Sequence, residues 1–152
     1  MIKVVHYINQ FFAQIGGEEM AHIPAERHDG EVKGPGAAFK AAFKDEAEII
    51  STIVCGDSYF NENLEEAKAT ILAWVKELNP DVFIAGPAFN AGRYGVACGT
   101  ICDAVQEELG IPAVTGMYVE TQVLICSKTK YIQYLQRTMQ QVLEMPLRKW
   151  LH

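Results

Sequence analysis

The stretch Val82-Phe83-Ile84-Ala85-Gly86-Pro87-Ala88-Phe89-Asn90-Ala91-Gly92-Arg93-Tyr94-Gly95 decides the fold. A short apolar run enters a turn rich in glycine and proline, and a helical pattern follows from Val96. An unbroken apolar run of this kind suits a strand buried on both faces of a parallel sheet. The following helix is predicted to end near Leu109, with Val96, Ile101, Val105 and Leu109 facing inward. Gly110 stands at its C′ position and Pro112 lies just beyond.

The same alternation extends in both directions. Ile2 to Ile8, Glu48 to Cys55 and Ile111 to Thr115 read as further strands. Ala37 to Lys44 predicts a short helix. A longer helix follows, with Leu64, Ala67, Ile71, Trp74, Val75 and Leu78 at helical spacing; Asn61 or Asn63 can cap it, and Asn79-Pro80 ends it. Residues 20–36 read as loop, because Pro24, Gly30, Gly34, Pro35 and Gly36 interrupt every periodicity. Strands alternating with helices predict an α/β domain. The expectation is a small open parallel sheet of about four strands, flavodoxin- or Rossmann-like, with flanking helices and right-handed crossovers. Lys130 to Glu144 predicts a C-terminal amphipathic helix, ended by Pro146, that covers a sheet face or docks on a partner.

At 152 residues, 49% hydrophobic and 21% charged, the chain is long enough for one domain with a real core. No apolar run reaches the roughly 18 residues of a membrane span, and no secretory leader is evident. The expectation is a cytoplasmic protein with no membrane partner. A pI near 5.2 argues against a nucleic-acid partner. Charge is unevenly spread: residues 1–122 carry 8 Lys+Arg against 18 Asp+Glu, and residues 123–152 carry 5 against 1. This divides the chain into a body and a basic tail of different character. Cys55, Cys98, Cys102 and Cys126 are expected as reduced thiols, and neither they nor the four histidines have zinc-site spacing, so no metal site is assigned.

Ligands of open parallel sheets bind beyond the carboxyl ends of the strands. Those ends gather Tyr7 to Phe12, Cys55 to Asn61, Gly86 to Gly95 and Gly116 to Tyr118. The Gly86–Gly95 segment reads either as a ligand loop, with Arg93 clamping a carboxylate, or as a tight turn with Arg93 in solvent. Asp57, Tyr59 and Asn61 read either as a polar binding cluster or as a turn and helix cap. His6 within its strand reads first as a satisfied core histidine. Cys55, Cys98 and Cys102 read as packing residues, and Glu18-Glu19 as an exposed acidic loop. There is no dinucleotide fingerprint, no Walker loop and no nucleophile elbow.

Several long motifs carry a resemblance. They are Val4-Val5-His6-Tyr7-Ile8-Asn9-Gln10-Phe11-Phe12, Ile15-Gly16-Gly17-Glu18-Glu19, and Cys55-Gly56-Asp57-Ser58-Tyr59-Phe60-Asn61-Glu62-Asn63. The Gly86–Gly95 stretch, Ala97-Cys98-Gly99 and Gly110-Ile111-Pro112-Ala113-Val114-Thr115-Gly116-Met117-Tyr118 complete the set. Together they resemble the selenoprotein B subunit of the glycine, sarcosine and betaine reductases, with the D-proline reductase subunit more distant. The resemblance is read over residues 1–118, as an N-terminal α/β domain. Residues 119–152 are read as a divergent tail, as in a truncated or frameshifted copy.

The resemblance implies the N-terminal part of a component B subunit from an anaerobic amino-acid fermenter. Such a complex reductively cleaves an amine from a small amino acid or its N-methyl derivative. It implies a selenocysteine in a portion this chain lacks, a pyruvoyl group on a partner chain, and other complex subunits as partners. No catalytic residue and no resident cofactor is assigned here, and the chain alone is expected to be inactive. The carried-over substrate-binding set is Asn9, Asp57, Tyr59, Asn61, Asn90, Arg93 and Tyr94. The competing expectation is a non-catalytic small-molecule-binding or assembly module of flavodoxin-like fold.

Overall fold

The computed structural model describes residues 1–88, 92–116, 123–125 and 132–145. Its centre is four parallel strands, β1 (Ile2–Asn9), β3 (Ala47–Cys55), β4 (Val82–Ala85) and β5 (Ala113–Gly116). All four were legible as apolar runs. β4 and β5 are buried at every position, as a strand covered on both faces must be.

Two antiparallel edge strands enlarge the sheet to six, in the order β2-β3-β1-β4-β5-β6. The first, β2 (Glu26–Asp29), lies inside the stretch expected to be loop. Its sequence is wholly polar and offers no apolar alternation. Charged side chains suit an edge, where they discourage pairing with another chain. Arg27 bonds to Asp29 at 2.8 Å, and Ser51 of β3 donates to Asp29 at 2.8 Å, tying the strand to the sheet. The second edge, β6 (Val123–Ile125), pairs antiparallel with β5.

Helices cover both faces. α1 (Gly36–Phe43) and α5 (Ile132–Glu144) pack together on one face; α2 (Asp57–Glu62), α3 (Leu64–Leu78) and α4 (Gly92–Leu109) pack on the other. The expected amphipathic tail helix is α5, and it covers the sheet. It buries Leu135, Met139, Val142 and Leu143, spaced as one helical face. Each such side chain contributes about 2 kcal/mol of apolar burial. Tyr134 stacks on Phe43 with ring centroids 6.4 Å apart, joining α5 to α1. β6 thus extends the sheet, and α5 joins the core built by the preceding elements.

The topology places the site. Taken in chain order, the four parallel strands lie in the order second, first, third, fourth. The connection after β1 runs one way across the sheet, and those after β3 and β4 run the other. The strands therefore part direction between β1 and β4, at the switch point where doubly wound sheets open a crevice.

Candidate functional site

β1 ends at Asn9, and the chain turns sharply there. The Asn9 side-chain oxygen accepts the Phe12 amide at 2.9 Å, and its main-chain oxygen accepts the Ala13 amide at 3.1 Å. The turn leaves the Asn9 side-chain amide pointing toward β3, where it donates to Asp57 Oδ2 at 3.0 Å. The Asp57 amide in turn donates to Gln10 Oε1 at 3.1 Å. Two side chains after β1 thus grip the first residue after the β3 turn.

Asp57 is 7% exposed, and its Oδ1 has no hydrogen-bond partner. Burial pushes its carboxyl above the usual range; the Asn9 bond and the nearby Arg93 guanidinium oppose this, and the Glu18 carboxylate adds to it. Beside Asp57 lies a cavity of about 470 Å³, outside the ends of β1 and β4. Its wall is formed by Asn9, Gln10, Phe11, Phe12, Gly17, Glu18, Asp57, Ala88 and Tyr94.

Arg93 enters from the first turn of α4. It is not free in solvent: its guanidinium donates to Ser58 and to the Glu18 carboxylate. Tyr94 is buried and lies against Phe12, with centroids 5.7 Å apart. Of the seven residues predicted to form the site, Asn9, Asp57 and Tyr94 line the cavity, and Arg93 stands beside it, bonded to Glu18 of its wall. Tyr59 and Asn61 stand on α2 outside the cavity wall. Asn61 donates to the Asp57 main-chain oxygen at 2.9 Å, a bond within the helix rather than toward a ligand. Asn90 lies outside the described residues.

Gln10, Phe12, Ser58 and Glu18 were not singled out as site residues. Gln10 and Phe12 could have been found, since both continue the polar-aromatic run after β1. Glu18 had no such signal, because only the fold brings it to Arg93. Its neighbour Glu19 turns back to the Gly17 amide at 2.9 Å, as an acidic loop would.

His6 is wholly buried and bonds through Nε2 to the Gly86 carbonyl at 2.7 Å. With Nε2 donating, Nδ1 is left without a partner, and burial lowers the ring to about 4. It is a neutral core histidine that holds the β4 turn. Cys55, Cys98 and Cys102 are buried thiols, and Cys102 donates to the Val114 carbonyl. Burial pushes the Cys55 thiol up to about 12 and the Cys98 thiol further still, so neither supplies a ready thiolate. Cys126 lies outside the described residues. Among the described residues no group of side chains could hold a metal ion, and no helix is long and apolar enough to cross a membrane.

The sheet order and the cavity at its switch point define a doubly wound α/β domain of flavodoxin-type strand order. Residues 1–146 match the family model described as glycine/sarcosine/betaine reductase selenoprotein B, and the chain belongs to that family. The match continues beyond residue 118, where the sequence motifs ended. The chain is 63% identical over 119 residues to the sarcosine reductase complex component B subunit beta of Peptoclostridium acidaminophilum, covering 78% of this chain and 27% of that protein. It is 60% identical over 131 residues to the glycine reductase complex component B subunit gamma of Carboxydothermus hydrogenoformans, covering 86% and 30%. It is 42% identical over 134 residues to the betaine reductase complex component B subunit beta of P. acidaminophilum, covering 87% and 30%. The chain therefore spans less than a third of the length of these relatives. No solved structure matches it.

Proposed function

We propose that this chain supplies the strand-edge half of the substrate site in component B of a glycine, sarcosine or betaine reductase complex. The observation that carries the reading is the cavity at the switch point, where Asn9 and Gln10 hold a buried Asp57 beside Arg93. A small amino acid carries one negative and one positive group, and the site offers acidic Asp57 and Glu18 beside basic Arg93. Arg93 takes the ligand carboxylate. To do so it exchanges Glu18, the chain's own carboxylate, for that of the ligand.

The family description names a selenoprotein, and the relatives are named as parts of complexes. The reading assigns the reacting selenocysteine to a portion outside these residues and the pyruvoyl group to a partner chain. It places the protein in the cytoplasm of an anaerobic amino-acid fermenter, with the other complex subunits as partners. The buried Cys55 and Cys98 thiols support placing the nucleophile elsewhere.

The test is Arg93→Ala at the matching position of a complete relative, assayed with its complex. The KM for the amino-acid substrate should rise at least tenfold, because a charge-assisted bidentate contact is lost. An unchanged KM refutes the role.

A further inference from the structure

We infer that the exposed surface joining Phe11 to Val96 across the cavity mouth is a docking face for a protein body with a basic rim, and that this body is the remaining portion of the complete component B subunit. The inference goes beyond the site reading, because it concerns what covers the cavity and not what enters it.

Phe11 and Val96 are 52% and 59% exposed. Scattered singly, such side chains need no explanation. Here a series of contacts joins them. Phe11 lines the cavity together with Glu18, and Glu18 holds the Arg93 guanidinium. Arg93 and Val96 are both exposed and stand three residues apart on α4, which makes them neighbours on one helix face. Gly92 and Gly99 continue that face, and among the described residues nothing lies within 4 Å of a Cβ added at either. The face is bare up to the cavity mouth.

The charge around it is acidic. Glu18 and Glu19 are exposed on the loop after β1, and Glu62 reaches the same loop through His22 at 3.3 Å. Arg93 stands among these carboxylates and is already paired with Glu18. Apolar anchors within a polar rim are the make-up of a protein interface. An acidic rim repels nucleic-acid phosphates and anionic lipid headgroups. A second copy related by a twofold axis would set carboxylates against carboxylates. A body that presents Lys or Arg to the rim suits the face. The chain covers 27% and 30% of the sarcosine and glycine reductase relatives, so more than two-thirds of each lies outside the matched residues. Covalent linkage gives that portion a high effective concentration, and a modest face then suffices to seat it. The cavity comes to lie between two bodies, a common place for a ligand site.

The test compares hydroxyl-radical footprints of this chain and of a complete relative purified without its other subunits. Labelling at the residues matching Phe11 and Val96 should be about fivefold slower in the complete subunit, because an interface core excludes water. Val96→Lys turns a cation toward the basic rim. In the complete subunit it should restore about half of the Phe11 labelling, and in this chain it should leave that labelling unchanged. The comparison of the unaltered proteins holds even where the variant does not fold. Equal labelling in this chain and the complete subunit overturns the inference. Protection that appears only when the other complex subunits are added assigns the face to one of them and overturns it too. So does protection undiminished by Val96→Lys in a folded subunit. No ligand enters the experiment, so each of these failures leaves the Arg93 reading to its own KM test.

Discussion

Replacing Gly56 by alanine tests whether the crossing that positions Asp57 is as tight as the structure shows. Gly56 has φ −67° and ψ 137°, a conformation open to any residue, so the substitution carries no dihedral strain. The obstacle is the neighbouring backbone. An added Cβ would lie 2.3 Å from the Ala21 oxygen, 2.7 Å from its carbonyl carbon and 2.9 Å from the Ile23 nitrogen. That segment cannot withdraw freely. The Ala21 oxygen accepts the Ser58 and Tyr59 amides at 2.9 and 3.0 Å, and the Ile23 oxygen accepts the Gly56 amide at 3.1 Å. Relief requires loosening these three bonds, each contributing about 1 kcal/mol. The expected loss is about 3 kcal/mol, the upper end of ordinary overpacking. With a urea slope of about 2 kcal/mol per molar, the midpoint should fall by about 1.5 M. Gly99→Ala is the control. Gly99 lies within α4 with no atom within 4 Å of an added Cβ, so it should raise stability by up to about 1 kcal/mol. A Gly56→Ala midpoint within about 0.3 M of the parent would refute the tight crossing.

His6 should give the fold an acid-sensitive window. Its folded value near 4 lies below the ordinary 6.5, so the unfolded chain takes the proton first; its stabilisation is complete above about pH 6.5 and falls by about 3 kcal/mol as pH drops toward 4. His6→Gln keeps an amide donor for Gly86 and should flatten that window in urea titrations; an identical pH slope in both proteins would contradict the assignment. Met139→Ala removes a fully buried side chain of α5 and should cost about 3 kcal/mol by thermal or urea unfolding, whereas a loss under about 0.5 kcal/mol would mean that α5 does not seal the sheet. Glu18→Gln removes the carboxylate competing for Arg93. Because the pair is largely exposed, sarcosine should bind only about threefold more tightly, and weaker binding would show Glu18 to be a ligand contact instead.

The parts of the fold legible in the sequence are those set by burial on two faces. β1, β3, β4 and β5 must be apolar at nearly every position, and each stands out as a run. β2 escaped notice for the converse reason: Glu26-Arg27-His28-Asp29 earns its place by edge pairing and ion pairs with no apolar face to betray it. α2 is too short to show a helical period. Half of the candidate site was visible by the same logic. Asn9 and Asp57 directly follow recognisable strands, and sheets bind ligands there. Tyr59 and Asn61 share the segment with Asp57, but the helical turn carries them away from the cavity. The Glu18–Arg93 pair spans 75 residues, a separation no local pattern reports.

The charge arrangement says what kind of ligand can bind without leaving a group unsatisfied. Arg93 is already paired with Glu18, while Asp57 keeps one bare oxygen. A simple anion must displace Glu18 and gains Arg93 only by freeing another carboxylate, so the exchange is nearly neutral and acetate should bind weakly. A simple ammonium meets two acidic side chains, Asp57 and Glu18, and displaces no charged group. A zwitterion does both: its ammonium meets the acidic side chains of the cavity wall, and its carboxylate replaces Glu18 at Arg93, which lets a side chain already 76% exposed return to water at little cost. Affinity should therefore rank sarcosine over dimethylammonium over acetate. The order follows from two acidic side chains on the cavity wall and one occupied guanidinium, and acetate binding more tightly than dimethylammonium would reverse the assignment of the two ends.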